Sequence, residues 1–289
     1  MKTAIVTDSN SGITQALSKE LGIYTIPMPV LINGEQFLED ISLTQEQFYE
    51  KLKDDSCQVS TSQPNTFEAG ELFKKILEEY DEIVCIPMSS ALSETCHSLT
   101  HLAETEFAGK VFVADNKRIS VTQKSSVFDA LALAKQGKTA KEIVRWLEDT
   151  AAQSSIYIMV DTLKYLKKGG RLTPAAAMIG TLLKIKPVLQ IQGGKLDQFA
   201  KVRKLIDAKS TMINAIKNDL NTRFADLYKA GKMRLEIAYT DDDSEAKIFK
   251  EEVEKAIGLP VEYVDPLSLS VSCHIGPGAL AVACAVAER

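Results

Sequence analysis

The sequence predicts an α/β fold built on a largely parallel sheet with helices on both faces. Two observations carry this. Short apolar runs alternate with stretches of helical periodicity along the first half of the chain, and the loops leaving the apolar runs are rich in Ser, Thr, Asn and Gly. The chain has 289 residues, 45% hydrophobic and 25% charged, the balance of a water-soluble globular protein. That length accommodates two modest domains. We place the boundary at 154/155, giving an N-terminal α/β domain over 1–154 and a C-terminal α/β domain over 155–289.

Taken in order, Thr3–Thr7 reads as a strand ended by Asp8-Ser9-Asn10-Ser11-Gly12, with a helix following to Leu21. Tyr24–Ile32 is a second apolar run, and Asn33-Gly34 is a tight-turn signal. Thr44 with Gln47 forms a capping box for a helix to Leu52. Phe67, Leu72, Phe73, Ile76 and Leu77 define one face of a helix over Thr66–Tyr80. Glu82–Pro87 and Lys110–Asp115 are buried-type strands, and helices are predicted over Ile119–Lys135 and Thr139–Gln153. Ser155–Val160 is a further strand. Pro187–Gln192 and Lys195–Val202 flank Gly193-Gly194 as a hairpin. A long amphipathic helix is expected over Lys204–Tyr228, strands at Arg234–Thr240 and Val261–Val264, and a helix over Ser244–Ala256. After Gly276-Pro277-Gly278, the Ala/Val-rich end is expected to be helical.

A net charge of −5 and a pI near 5.4 argue against a nucleic-acid partner. The five cysteines, Cys57, Cys85, Cys96, Cys273 and Cys284, are odd in number and show no CxxC spacing. We read them as reduced thiols of a cytoplasmic protein, with no disulfide framework and no metal site. The apolar stretch before Asp8 is too short for a signal peptide, and no run approaches the ~18 apolar residues of a membrane span.

Three loops could carry chemistry. Thr61-Ser62-Gln63-Pro64 precedes a helix, where unpaired N–H groups and the helix dipole favour a carboxylate or phosphate; the plainer reading is an ordinary hydroxyl cap. Ser89-Ser90-Ala91-Leu92-Ser93-Glu94-Thr95 joins a buried strand to a helix and would lie at the carboxyl ends of the sheet. A serine nucleophile there is the sharper alternative, but G-x-S-x-G and S-x-x-K are both missing, and His97 and His101 read as surface residues. Gly169-Gly170-Arg171 is either a glycine helix stop after Lys167-Lys168 or an arginine aimed at an anion. Neither the dinucleotide fingerprint nor the Walker pattern occurs, so no nucleotide cofactor is expected. Asp241-Asp242-Asp243 lacks calcium-loop spacing and reads as the acidic start of a helix. His274, among apolar residues before a Gly-Pro-Gly turn, is either structural or a hydrogen-bond donor to a carboxylate.

Together these segments resemble the DegV family. The resemblance rests on Thr7-Asp8-Ser9, Gly22-Ile23-Tyr24-Thr25-Ile26-Pro27, Thr61-Ser62-Gln63-Pro64 and Ser89-Ser90-Ala91-Leu92-Ser93 in the first half. In the second it rests on the segment Asp161–Arg171, on Lys184-Ile185-Lys186-Pro187 and on His274-Ile275-Gly276-Pro277-Gly278. It implies two α/β domains, the first a parallel Rossmann-like sheet, with a lipid pocket between them. It further implies the binding component of a bacterial fatty acid kinase, itself not an enzyme. Such a component holds a long-chain fatty acid for a separate ATP-dependent kinase subunit. Carried over by position, Thr61, Ser62, Ser93 and His274 look like the carboxylate-holding groups, Arg171 a neighbour, and Arg203 the kinase-docking arginine. Ala175–Leu183, Ile185–Ile191 and Leu267–Ile275 are candidate tail-lining segments. The chain departs from the family pattern twice. Glu94 stands where glycine is usual and is expected to point outward, and Asn116-Lys117-Arg118 follows Asp115, which implies different packing of the next helix. A stand-alone carrier or sensor, and a serine hydrolase using Ser93 or Ser89, are the competing readings.

Overall fold

The computed structural model describes residues 2–54, 56–177 and 185–288. Cα packing divides the chain into two compact units. Unit 1 holds the residues up to Ala151 together with Ser268–Ser270 and Glu288, and unit 2 holds Ala152–Leu267 and Val271–Ala287.

Unit 1 contains β1 (Thr3–Asp8), α1 (Gln15–Leu21), β2 (Tyr24–Ile26), β3 (Pro29–Ile32), β4 (Glu35–Leu38), α2 (Gln45–Leu52), β5 (Val59–Thr61), α3 (Thr66–Ile76), β6 (Glu82–Ile86), α4 (Thr95–Glu106), β7 (Val111–Val113), α5 (Ser120–Lys135) and α6 (Ala140–Asp149). Its main sheet has the order β2-β1-β6-β7, all parallel. Both faces are covered, which explains why these strands read as continuous apolar runs. The period of two is still present inside them. Ala4, Val6, Ile83 and Cys85 pack on one side with Phe73 and Leu99; Ile5, Val84 and Ile86 pack on the other with Val127 and Ile143. A small antiparallel sheet, β4-β3-β5, stands beside it in sequence. Its β3–β4 hairpin turns on Asn33 and Gly34 with φ of 52° and 87°, the left-handed pair that this dipeptide foretells. The capping box is also present: Thr44 Oγ1 accepts from Gln47 N at 3.2 Å, and Gln47 Oε1 accepts from Thr44 N at 3.0 Å.

Unit 2 contains β8 (Ser154–Met159), α7 (Lys164–Gly169), α8 (Pro174–Ala177), β9 (Lys186–Ile191), β10 (Asp197–Val202), α9 (Leu205–Asn221), α10 (Ala225–Lys229), β11 (Met233–Tyr239), α11 (Ser244–Ile257), β12 (Val261–Pro266), α12 (Leu269–Ile275) and β13 (Leu280–Val286); α12 draws its first two residues from unit 1. The sheet order is β10-β9-β8-β13-β11-β12, with β11 and β12 parallel and the other pairs antiparallel.

Two expectations are corrected here. The Ala/Val-rich end is not a helix but β13, buried at every position between β8 and β11. A central strand covered on both faces loses its polar alternation, so a seven-residue apolar run carries no period to tell strand from helix. The long helix expected over 204–228 is two, α9 and α10. Phe224 N closes back on Asp219 O at 2.9 Å, and Arg223 turns off the helix to Ser155 Oγ at 2.8 Å. Of the candidate tail-lining segment 175–183, residues 178–183 lie outside the described residues, as does Lys184. No helix among the described residues is long and apolar enough to cross a membrane.

Candidate ligand site

In unit 1, the strand order reverses direction between β1 and β6, and the crevice at the carboxyl ends of such strands is where open α/β sheets bind ligands. The loops leaving these strands are tied together by Asp8. Its buried carboxylate accepts from Asn10 N (3.1 Å), Asn10 Nδ2 (2.9 Å) and Gln123 Nε2 (3.0 Å) on one oxygen, and from Met88 N (2.9 Å) on the other. Burial pushes its pKa up, and these four bonds oppose the rise by favouring the ionised form. Asp8 is thus a brace for the crevice.

The serine loop follows β6. Ser89 is fully buried; its N–H donates to Arg118 O at 2.8 Å, and its carbonyl accepts from Ser93 N at 3.2 Å. Ser93 Oγ accepts from Thr95 N at 3.2 Å and lies 2.9 Å from Thr95 Oγ1 at the start of α4. It therefore stands at a helix N-terminus, half-buried. Ser90 is held from the other side, its hydroxyl donating to Asp115 at 2.5 Å and accepting from Lys117 Nζ at 2.6 Å. Lys117, one of the departures from the family pattern, thus braces the serine loop. Glu94 points outward, 80% exposed, and meets His97 at 3.1 Å. The two imidazoles of α4, His97 paired with Glu94 and His101, are both exposed, which weighs against a base for Ser93 and so against a hydrolase.

The Thr61–Pro64 loop lies on the same unit. Thr61 ends β5, paired with Val30, and Ser62 is exposed. The cap of α3 is neither of these hydroxyls but Asn65, whose Oδ1 accepts from Phe67 N at 2.9 Å. Gln63 Oε1 accepts from Ser98 Oγ at 2.7 Å, which draws this loop onto α4. Thr61, Ser62 and Ser93 are therefore carried by loops that meet at one helix.

In unit 2 the segments 161–171 and 274–278 pack against each other residue by residue. A side chain at Gly169 would collide with the His274 ring, and one at Gly276 with the Tyr165 ring; Gly278 lies against Asp161. Asp161 in turn pairs with Lys186. Of the Gly169-Gly170 pair, only Gly170 is the left-handed helix stop, at φ 70°; Gly169 makes room for His274. Arg171 donates to the Gly169 carbonyl. Burial, and then the Arg171 charge, hold the His274 pKa down at about 4, so the ring is neutral at physiological pH. A neutral imidazole can donate one hydrogen bond to a carboxylate without adding a charge. Arg203 is exposed in the turn from β10 to α9, near exposed Phe199 and Ile206 in sequence.

Motif reading assigned no partner to Gln63 or Gly169. Gln63 and Gly169 fall within quoted motifs, but their partners, Ser98 and His274, are 35 and 105 residues away, so only the fold reveals their tasks.

A parallel sheet, a mixed sheet and a small antiparallel sheet, with the serine loop at the parallel sheet's switch point, define a two-unit α/β protein. The family model described as an uncharacterised protein of the DegV family matches residues 2–287, and the chain belongs to the DegV family. A DegV domain-containing protein of Deinococcus radiodurans is 35% identical over 203 residues, 70% of this chain and 72% of that one. The DegV protein of Bacillus subtilis is 29% identical over 283 residues, 98% of both chains. Among solved structures, a fatty-acid-binding DegV family protein from Thermus thermophilus superposes with a TM-score of 0.87 at 28% identity, covering 99% of this chain and all of that one. The Bacillus subtilis DegV structure, described as a fatty acid binding protein, gives the same TM-score and identity, covering 99% of each chain.

Proposed function

We propose that this chain binds a long-chain fatty acid in an apolar pocket and presents its carboxylate to a separate ATP-dependent kinase subunit, which forms the acyl phosphate. The observation that carries the reading is the likeness over nearly the full chain to DegV structures described as fatty acid binding. The polar groups fit it. Thr61, Ser62, Ser93 and a neutral His274 are uncharged donors, with Arg171 beside the histidine. Burying a methylene contributes ~0.8 kcal/mol, so about 14 methylenes supply roughly 11 kcal/mol. Ordering costs reduce that by several kcal/mol. The tail can thus provide affinity and the hydroxyls orientation. Neutral donors also avoid holding the more highly charged product too tightly, as a buried cation would.

On this reading the chain is a ligand-binding subunit without catalytic chemistry of its own. The test is Ser93→Ala in the loaded protein. Phosphorylation by the cognate kinase should fall by about tenfold or more, the loss of one charge-assisted hydrogen bond, while fatty-acid affinity changes by less than about threefold. Equal loss of both would remove the orienting role.

A further inference from the structure

Glu39 follows β4 directly and is buried, an unusual place for a carboxylate. Its two oxygens reach different parts of the chain. One accepts from Ser9 Oγ at 2.7 Å, and Ser9 Oγ in turn accepts from Met28 N at 3.0 Å. The other accepts from the backbone N–H of Leu269, the first residue of α12. The next residue, Ser270, donates its hydroxyl to buried Asn10 at 2.6 Å. Ser268–Ser270 belongs to unit 1 although the chain on both sides belongs to unit 2. These three residues are therefore a strap, fastened by Glu39 and Asn10.

We propose that Glu39 is a positioning residue for the first turn of α12, and that its protonation state sets how firmly the strap at Ser268–Ser270 is held. Either form of the carboxyl can be accommodated. The ionised group accepts a hydrogen bond from the Ser9 hydroxyl; the neutral acid donates to the Ser9 oxygen while its carbonyl still accepts from Leu269. The charged groups that bear on it are Asp8, at the end of β1, and Asp40, its chain neighbour, both acidic. Burial above all, then these two charges, lift its pKa to about 7, against the opposing bonds from Ser9 and Leu269. An unfastened Glu39 in water ionises near its ordinary 4.5. The fastened form thus binds the proton more tightly, so the strap is firmest below that value and loosens as pH rises through about 7.

The strap opens the helix that carries His274, so its state matters to a ligand if the function proposed above holds; the strap itself does not depend on that function. Amide hydrogen exchange of the peptide covering 268–275, corrected for intrinsic rate, reads it in the full chain. Between about pH 5.5 and pH 8, protection in the wild type should fall by at least tenfold. Glu39→Gln keeps a carbonyl for Leu269 and a donor for Ser9, so its profile should stay flat within about threefold. Ser270→Ala should lower protection at every pH and leave the midpoint in place. A flat wild-type profile overturns the proposal whether or not the Gln variant folds, and so does an unchanged pH profile in Glu39→Gln.

Discussion

His274 shows how far one side chain's surroundings decide its chemistry. Packed on Gly169 and beside Arg171, it stays neutral where an ordinary histidine begins to charge. Its folded pKa, about 4, lies below its ordinary 6.5, so the unfolded chain takes up the proton first as pH falls. The stability this contributes is fully present above about 6.5 and lost as pH drops through 4, on the order of 3 kcal/mol. His274→Gln should abolish that acid loss in unit 2, as measured by urea unfolding from pH 7 to pH 4 with a probe in that unit; an unchanged pH slope would mean the ring is not held neutral. At this scale the sequence was informative where the task is local. That the Thr61–Pro64 and Ser89–Thr95 segments lie between a strand and a helix was legible because strand-end loops advertise themselves. Glu39 was not, because its meaning comes from Leu269, 230 residues away.

Between elements, the contact of α7 with α12 depends on a missing side chain. Gly169→Ala would drive a methyl group into the His274 ring and destabilise unit 2 by about 1–3 kcal/mol, a loss that urea unfolding would detect. Gly170→Ala tests a different cost, since it is open in space but left-handed, at φ 70°; about 1 kcal/mol is expected there. If Gly169→Ala were as mild as an exposed substitution, the tight seating of His274 would be wrong. The elements legible in advance were those with local punctuation: the Asn33-Gly34 hairpin, the Thr44 capping box and the Gly193-Gly194 turn between β9 and β10. β13 was misread because burial on both faces erased the alternation that marks a strand.

Across the whole molecule, the chain leaves unit 1 after Ala151 and returns to it at Ser268–Ser270 and Glu288. No composition change marks those returns, which is why a simple cut along the sequence cannot describe them. What was legible is the parallel sheet of unit 1, because repeated strand–helix units admit few arrangements. The proposed partner adds a prediction at this scale. Arg203 is exposed and needed by no core, so Arg203→Ala should leave folding and fatty-acid binding unchanged while weakening use by the kinase by about tenfold. No effect on the kinase would favour a stand-alone carrier or sensor. The central claim, that this chain holds a fatty acid, meets its most direct test in organic extraction of the purified protein followed by mass spectrometry. A long-chain fatty acid is expected at close to one per chain. A protein that yields no fatty acid on extraction, and takes up none when offered it, is not a fatty-acid carrier.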